Sequence, residues 1–321
     1  MDISEVIDYS AVSDYIKCPR FFYFRHVRNW TSDVDVILDL VFGSAVHAGL
    51  EFGYEVLKAD PNATLDDIMS VAAKATEFEW NEEGGGTFND ADCFPKNLGR
   101  AIDLVHLNFK TYLEQDRQWE VVGTEVPFEI MLGENLPRYI GRKDAKLRKD
   151  GVTKILEHKT TKSLAGIWAD SFQSNYQVEG YITEEKLLTD DQVIVDINGL
   201  CTQKSKIDCT RLPISRQNIA VNRFILEMSM IVEQILNDKK MLQVDIAAGD
   251  RCHTMHAFRR NCGLSCTAWM RKCPYMDVCL ARMNPETWDA PPAGFKVEEW
   301  DPRDHAAKKE ARLKDGLSGL I

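Results

Sequence analysis

Residues 154–162, KILEHKTTK, set a glutamate and a lysine on either side of one histidine. If the stretch is extended, Glu157 and Lys159 point the same way about 6.6 Å apart, at ~3.3 Å per residue. Alternating charges on a strand usually just face water, so this pair alone assigns no chemistry. Asp144 lies one extended segment earlier, in GRKDAKLRKDG, and a KDG turn at 149–151 separates the two. In an antiparallel pair pivoting at Asp150 and Gly151, Asp144 falls nearly opposite Glu157. Two carboxylates converging from adjacent strands form a hard, oxygen-lined site suited to Mg²⁺ or Mn²⁺. A lysine on the same face can orient an attacking water or hold a phosphate.

Two further elements carry candidate side chains. NYQVEGYIT, residues 175–183, places Gln177 and Tyr181 at i, i+4 on one helical face. FGSAVHAGLE supplies His47, whose neutral imidazole could complete a divalent-metal shell, although a lone histidine on an apolar helix is more often a core residue. Cysteine is the other chemistry-bearing type. Cys252, Cys262, Cys266, Cys273 and Cys279 fall close together, and Cys18 stands far upstream in KCPRFFYF. Four thiolates can hold Zn²⁺ or an iron–sulfur cluster, and spacing alone leaves both open. His253 and His256 are additional ligands if the metal is zinc, while Cys93, Cys201, Cys209 and Cys252 read as structural or incidental.

The elements that must position these residues follow from periodicity. Residues 10–24, 41–58, 65–80 and 98–116 recur helically, with Ser10 or Ser13 and Thr64 as capping residues. Residues 119–132, 138–148 and 152–161 read as a β-meander, 176–188 as a helix, 192–202 as a buried strand and 218–238 as a long amphipathic helix. The order predicts an α/β (α+β) chain with a small mixed sheet flanked by helices. Its expected parts are an N-terminal helical region (1–118), a catalytic core (119–250), a Cys-rich module (251–284) and a polar tail (285–321).

Bulk properties narrow the setting. The 321 residues are 44% apolar, enough for a large core, and no uninterrupted apolar run is long enough for a membrane span. The N-terminus lacks the basic and apolar regions of a signal peptide, which predicts an intracellular protein whose cysteines are not structural disulfides. The net charge of −11 argues against a nucleic-acid partner if taken alone. The charge is uneven, however: 251–282 carries six Lys/Arg against one acid, so Arg259, Arg260, Arg271 and Lys272 remain candidate phosphate contacts. No GxxxxGK[ST] loop or GxSxG elbow is present, so neither ATP-driven nor serine-hydrolase chemistry is implied.

Taken together, Gly43 to His47, Gly141 to Asp144, Glu157 to Lys159 and Gln177 to Tyr181 give GxxxH, GxxD, ExK and QxxxY in order. This series resembles the RecB-type branch of the PD-(D/E)XK nuclease superfamily, over most of residues 10–205. The resemblance implies a restriction-endonuclease-like core. It also implies His47, Asp144, Glu157 and the His158 backbone carbonyl as metal ligands, Lys159 as the partner of the water, and Gln177 and Tyr181 lining the site. Lys143 departs from the family, which usually has an apolar residue before the Asp. A subset of that branch, including CRISPR-associated and phage nucleases, ties its chain ends with a 4Fe–4S cluster. By that resemblance the ligands are Cys18, Cys266, Cys273 and Cys279. The trio is spaced x6 then x5 where better-known members have x2 then x5, which leaves Cys262 in reserve for Cys266.

The expected function is a Mg²⁺- or Mn²⁺-dependent DNA exonuclease on single strands or duplex ends, in recombination, repair or processing. A helicase or recombination partner and an oligomeric state are compatible with it; a membrane partner is not. The rival is a non-catalytic iron–sulfur or zinc module that binds DNA, for which the intact Asp144, Glu157 and Lys159 would be superfluous.

Overall fold

The computed structural model describes residues 5–33, 37–84, 86–89, 91–248, 256–268, 271–280, 290–299, and 301, 303, 307 and 311. Cys252, His253 and most of the 285–321 tail lie outside the described residues. In chain order the elements begin with β1 (Val6–Asp8), α1 (Tyr9–Lys17), α2 (Pro19–Phe22), a π-helical turn (Tyr23–Val27) and β2 (Trp30–Ser32). Next come α3 (Leu38–Ala59), α4 (Leu65–Gly84), α5 (Leu98–Asp116), β3 (Glu120–Ile130), β4 (Arg138–Lys149) and β5 (Val152–Thr161). The remainder is α6 (Gly166–Asp170), α7 (Tyr176–Leu188), β6 (Gln192–Thr202), β7 (Ile207–Ile214), α8 (Ile219–Ala248), α9 (Met276–Leu280) and β8 (Phe295–Val297). No helix among the described residues is long and apolar enough to cross a membrane.

These elements form two compact units, one of residues 1–35, 129–141 and 225–306, the other of 36–128, 142–224 and 307–321. Contiguous divisions at 118, 250 and 284 cut the chain differently, because each unit gathers stretches far apart in sequence.

In the second unit β4, β5, β6 and β7 lie side by side in that order, and β3 pairs with β4. β4 pairs antiparallel with β5 from Ala145↔Leu156 to Lys149↔Val152. The connecting turn has positive φ at both Asp150 (49°) and Gly151 (74°), the primed geometry that matches strand twist. β5 and β6 run parallel, which requires a crossover, and α7 supplies it. β7 returns antiparallel to β6, and its mostly half-buried residues show no buried–exposed alternation that would mark it as a strand. One face of the sheet carries Ala145, Leu147, Leu156 and Leu200, which share a core with α3, α4 and α5. Helix approach is close there. A Cβ at Gly49 would lie 2.1 Å from the Thr76 hydroxyl and one at Gly53 2.2 Å from the Phe109 ring, so only glycine allows α3 to seat. Thr64 caps α4 as expected, accepting from the Asp67 backbone N–H at 3.1 Å.

In the first unit, β1 pairs in parallel with residues 138–140 of β4, and β2 pairs antiparallel with β8. The N-cap of α1 is Asp8, whose carboxylate accepts from the Ala11 N–H at 2.8 Å, rather than Ser10 or Ser13. The capping residue sits where the strand ends, a boundary that helical periodicity did not mark. Aromatic side chains fill this core: Phe24 stacks on Trp30 at 5.6 Å and Phe22 on Phe258 at 5.9 Å.

Candidate active site

β5 is the central support of the cleft. Thr153 to His158 are all buried along it, and alternation sends Leu156 into the α3–α5 core while Glu157 and Lys159 face α7. Continuing the β4–β5 register by one step sets Asp144 opposite Glu157. Asp144 Oδ2 accepts from the His158 backbone N–H at 2.6 Å and lies 3.6 Å from His47 Nδ1. His47 arrives from α3, and its ring meets the His158 ring edge-on at 5.7 Å.

Gln177 and Tyr181 complete a closed circuit from α7. Lys159 Nζ is 2.5 Å from Glu157 Oε1 and donates to Gln177 Oε1 at 3.2 Å. Gln177 Nε2 donates to the Tyr181 hydroxyl at 2.8 Å, and that hydroxyl lies 2.7 Å from Glu157 Oε2. The i, i+4 pair read from the sequence therefore shares one face with the ExK residues. Asn175 sets its start by capping α7 through the Gln177 N–H.

The electrostatics separate the two acids. Burial alone would raise Asp144, yet His47 and then the Lys159 charge hold it below the usual carboxylate range. Glu157 moves the other way: burial and the neighbouring Asp144 charge raise it, against Lys159 and Tyr181. The Tyr181 hydroxyl is likewise pushed up by burial and by Glu157. Burial takes the His158 side chain down to about 3, so it is neutral. Its Nδ1 sits 2.9 Å from Asn198 Nδ2, and Asn198 also donates to Asn108 at 2.9 Å.

His47, Asp144, Gln177 and Tyr181 line a cleft of about 420 Å³. Glu125 and Arg142 are among the lining residues that no sequence motif marks. Glu125 on β3 brings a carboxylate oxygen within 4.8 Å of ligand atoms of His47 and Asp144, and Arg142 forms an ion pair with Glu125. No spacing rule pointed to Glu125, because its placement depends on an irregularity of β3.

The family model of the PD-(D/E)XK nuclease superfamily matches residues 7–280. The chain belongs to that superfamily. A crystal structure of a candidate exonuclease from Eubacterium rectale is 12% identical, with a TM-score of 0.45, over 73% of this chain and 80% of its own. That of a protein named SSO0001 is 16% identical with a TM-score of 0.30, over 72% and 78%. At these scores neither carries an argument about function. No curated protein matches the chain.

The mixed sheet flanked by helices in this PD-(D/E)XK chain is the restriction-endonuclease-like arrangement expected from its sequence. In the first unit, Cys18, Cys262, Cys266, Cys273 and Cys279 line one cavity of about 50 Å³. Cys262 is exposed and the other four are half-buried. The Asn261 backbone N–H donates to the Cys18 sulfur at 3.4 Å, and Cys273 N–H to the Cys266 carbonyl at 2.8 Å. Burial raises the Cys273 and Cys279 thiols. Cys93, Cys201 and Cys209 belong to the other unit. His256 is held by Asp245 at 2.7 Å and does not line the cysteine cavity. Arg259, Arg260, Arg271 and Lys272 are exposed, with Lys272 paired to Asp277 at 2.7 Å.

Proposed function

We propose that this protein is a divalent-cation-dependent deoxyribonuclease, working as an exonuclease on single-stranded DNA or duplex ends in recombination, repair or processing. One observation carries the reading: His47 and Asp144 line one cleft with Gln177 and Tyr181, and the Glu157–Lys159 pair is hydrogen-bonded to those last two. The donor set fits Mg²⁺ or Mn²⁺, being carboxylate oxygens with one imidazole nitrogen. Burial first and the neighbouring Asp144 charge second push Glu157 up, and a dication between the two carboxylates would relieve their repulsion.

His47, Asp144, Glu157 and the His158 carbonyl would hold the ion, which when bound would offset charge on the phosphate and make water acidic enough to attack. Lys159 orients that water, its ammonium fixed between Glu157 and Gln177. Tyr181 fixes Glu157 from the other side, and Gln177 presents its amide to the cleft, where it can meet the DNA strand.

The cysteine cavity supports a second part of the proposal, a structural 4Fe–4S cluster on Cys18, Cys266, Cys273 and Cys279. Zinc at ~2.3 Å from each sulfur would need sulfurs about 3.8 Å apart. Among the described residues no three of these cysteines bring their sulfurs within 4.8 Å of one another. A multi-iron cluster, in which each thiolate binds a different metal, favours the wider spacing. Exposure of Cys262 favours Cys266 as the ligand. The exposed Arg259, Arg260 and Arg271 are suited to backbone phosphates.

The test is degradation of 5′- and 3′-labelled single-stranded and duplex DNA with Mn²⁺. Activity that is lost in Asp144→Ala and Lys159→Ala supports the reading, and the two labels give the polarity. Wild type as inert as both variants on DNA and RNA would refute it. A colourless, zinc-containing protein purified without air would overturn the cluster.

A further inference from the structure

The residue the motifs do not explain is Glu125. Along β3 the buried positions are odd-numbered at Val121 and Gly123, then even-numbered at Phe128 and Ile130. A strand whose inward face changes parity contains an extra residue, and Glu125 marks the place with φ of +48°. Bulges of this kind re-aim a side chain, and a non-glycine residue in the left-handed region is uncommon. Here the side chain is aimed into the cleft. Its carboxylate reaches the His47 and Asp144 ligand atoms, within 4.8 Å, while Glu157 is engaged on both oxygens by Lys159 and Tyr181.

We propose that Glu125 is a cation ligand alongside His47 and Asp144, and that Arg142 is its resting counter-ion, displaced when the cation binds. The inference rests on the nuclease reading of the same cleft. Glu125, Asp144 and Arg142 line the cleft, and the Glu157–Lys159 pair is bonded to its lining residues Gln177 and Tyr181, which makes three carboxylates against two cationic side chains. Counted over these five side chains, the site carries one net negative charge and repels a phosphodiester. A dication reverses that sign, and one phosphodiester then restores neutrality. The cation therefore binds before DNA. Arg142, released from Glu125, presents a planar pair of N–H donors to the arriving phosphate.

The pair makes a signed prediction that a merely structural ion pair does not. Arg142 competes with the cation for Glu125, so the two partners act in opposite directions on cation affinity. Mn²⁺ is titrated into the intact chain by calorimetry, with free Mn²⁺ followed by its electron paramagnetic resonance. Glu125→Gln should weaken Mn²⁺ binding by about tenfold or more, and Arg142→Met should strengthen it severalfold while weakening DNA binding in Mn²⁺. An unchanged affinity in Glu125→Gln would overturn the inference. So would weakening in Arg142→Met, which keeps the test decisive if the Glu125 variant folds poorly. Wild type that binds no Mn²⁺ would instead remove the nuclease reading itself. Wild-type binding abolished by Asp144→Asn, with Glu125→Gln unaffected, would leave that reading standing and sink only this one.

Discussion

Lys143 sits beside a proposed metal ligand where the family usually has an apolar residue, and its side chain is only 1% exposed. It survives burial by pairing with two glutamates of α7. Its ammonium contacts Glu184 and lies 2.5 Å from Glu185 Oε1, and Lys146 meets the same Glu185 oxygen at 2.8 Å. Lys143→Met removes the shared cation and leaves Glu184 and Glu185 facing each other with Lys146 alone. Breaking a buried pair from one side costs about 3–5 kcal/mol. The retained Lys146 contact places this variant at the low end, about 3 kcal/mol, or roughly a hundredfold in the folded-to-unfolded ratio. The assay is urea unfolding followed by far-UV circular dichroism. Lys143→Arg should keep most of the stability. Converting Lys143, Glu184 and Glu185 together to methionine should recover most of the loss, because Lys146, 18% exposed, can still reach water. A loss below about 1 kcal/mol in Lys143→Met would refute the argument that the three charges stabilise one another.

Three other outcomes are expected. Lys159→Met should leave Mn²⁺ affinity within a few-fold of wild type but lower kcat by about 10²-fold or more, separating water positioning from cation binding in single-turnover assays. Because Glu157 is raised in the fold, stability from its protonated form is present at low pH and lost as pH rises through that raised value, and cation binding must expel the proton. The increase in Tm produced by Mn²⁺ should thus be larger at about pH 7.5 than at about pH 5, and equal increments would exclude Glu157 as a ligand. Cys18→Ser should bleach the visible absorption of protein purified without air and lower Tm, whereas Cys262→Ser should do neither. The reverse pattern would transfer the ligand role to Cys262.

Local chemistry made much of the second unit readable. The KDG turn and the alternation around it fix the β4–β5 register, and the i, i+4 spacing on α7 puts Gln177 and Tyr181 on one face. What escaped sequence reading depends on partners or irregularities distant in the chain. Lys143 looked out of place because its glutamates lie 41 and 42 residues downstream. Glu125 was invisible because a bulge has no signature in simple alternation. His158 entered only through its backbone carbonyl. Its side chain is a buried, neutral ring stacked 6.0 Å from Tyr54, whose hydroxyl donates to Asp116 at 2.8 Å, and Asp116 in turn pairs with Arg211 at 2.6 Å. Nothing in the spacing of these four residues announces that they form one polar core.

The discontinuity of the first unit sets an order of events during synthesis. The nuclease core draws mainly on residues 36–128 and 142–224, with only 307–321 coming late, so most of it can pack while the ribosome is still at work. Cys18 cannot meet its neighbours so soon, since the Asn261 amide that donates to its sulfur is 243 residues downstream. At ~5–20 residues per second, that thiol waits on the order of tens of seconds before its cavity exists. During that interval it is exposed to oxidants and stray metals. A cluster held by Cys18 and the late cysteines could therefore form only after that distant stretch has been made and folded, as the step that joins the two parts of the first unit.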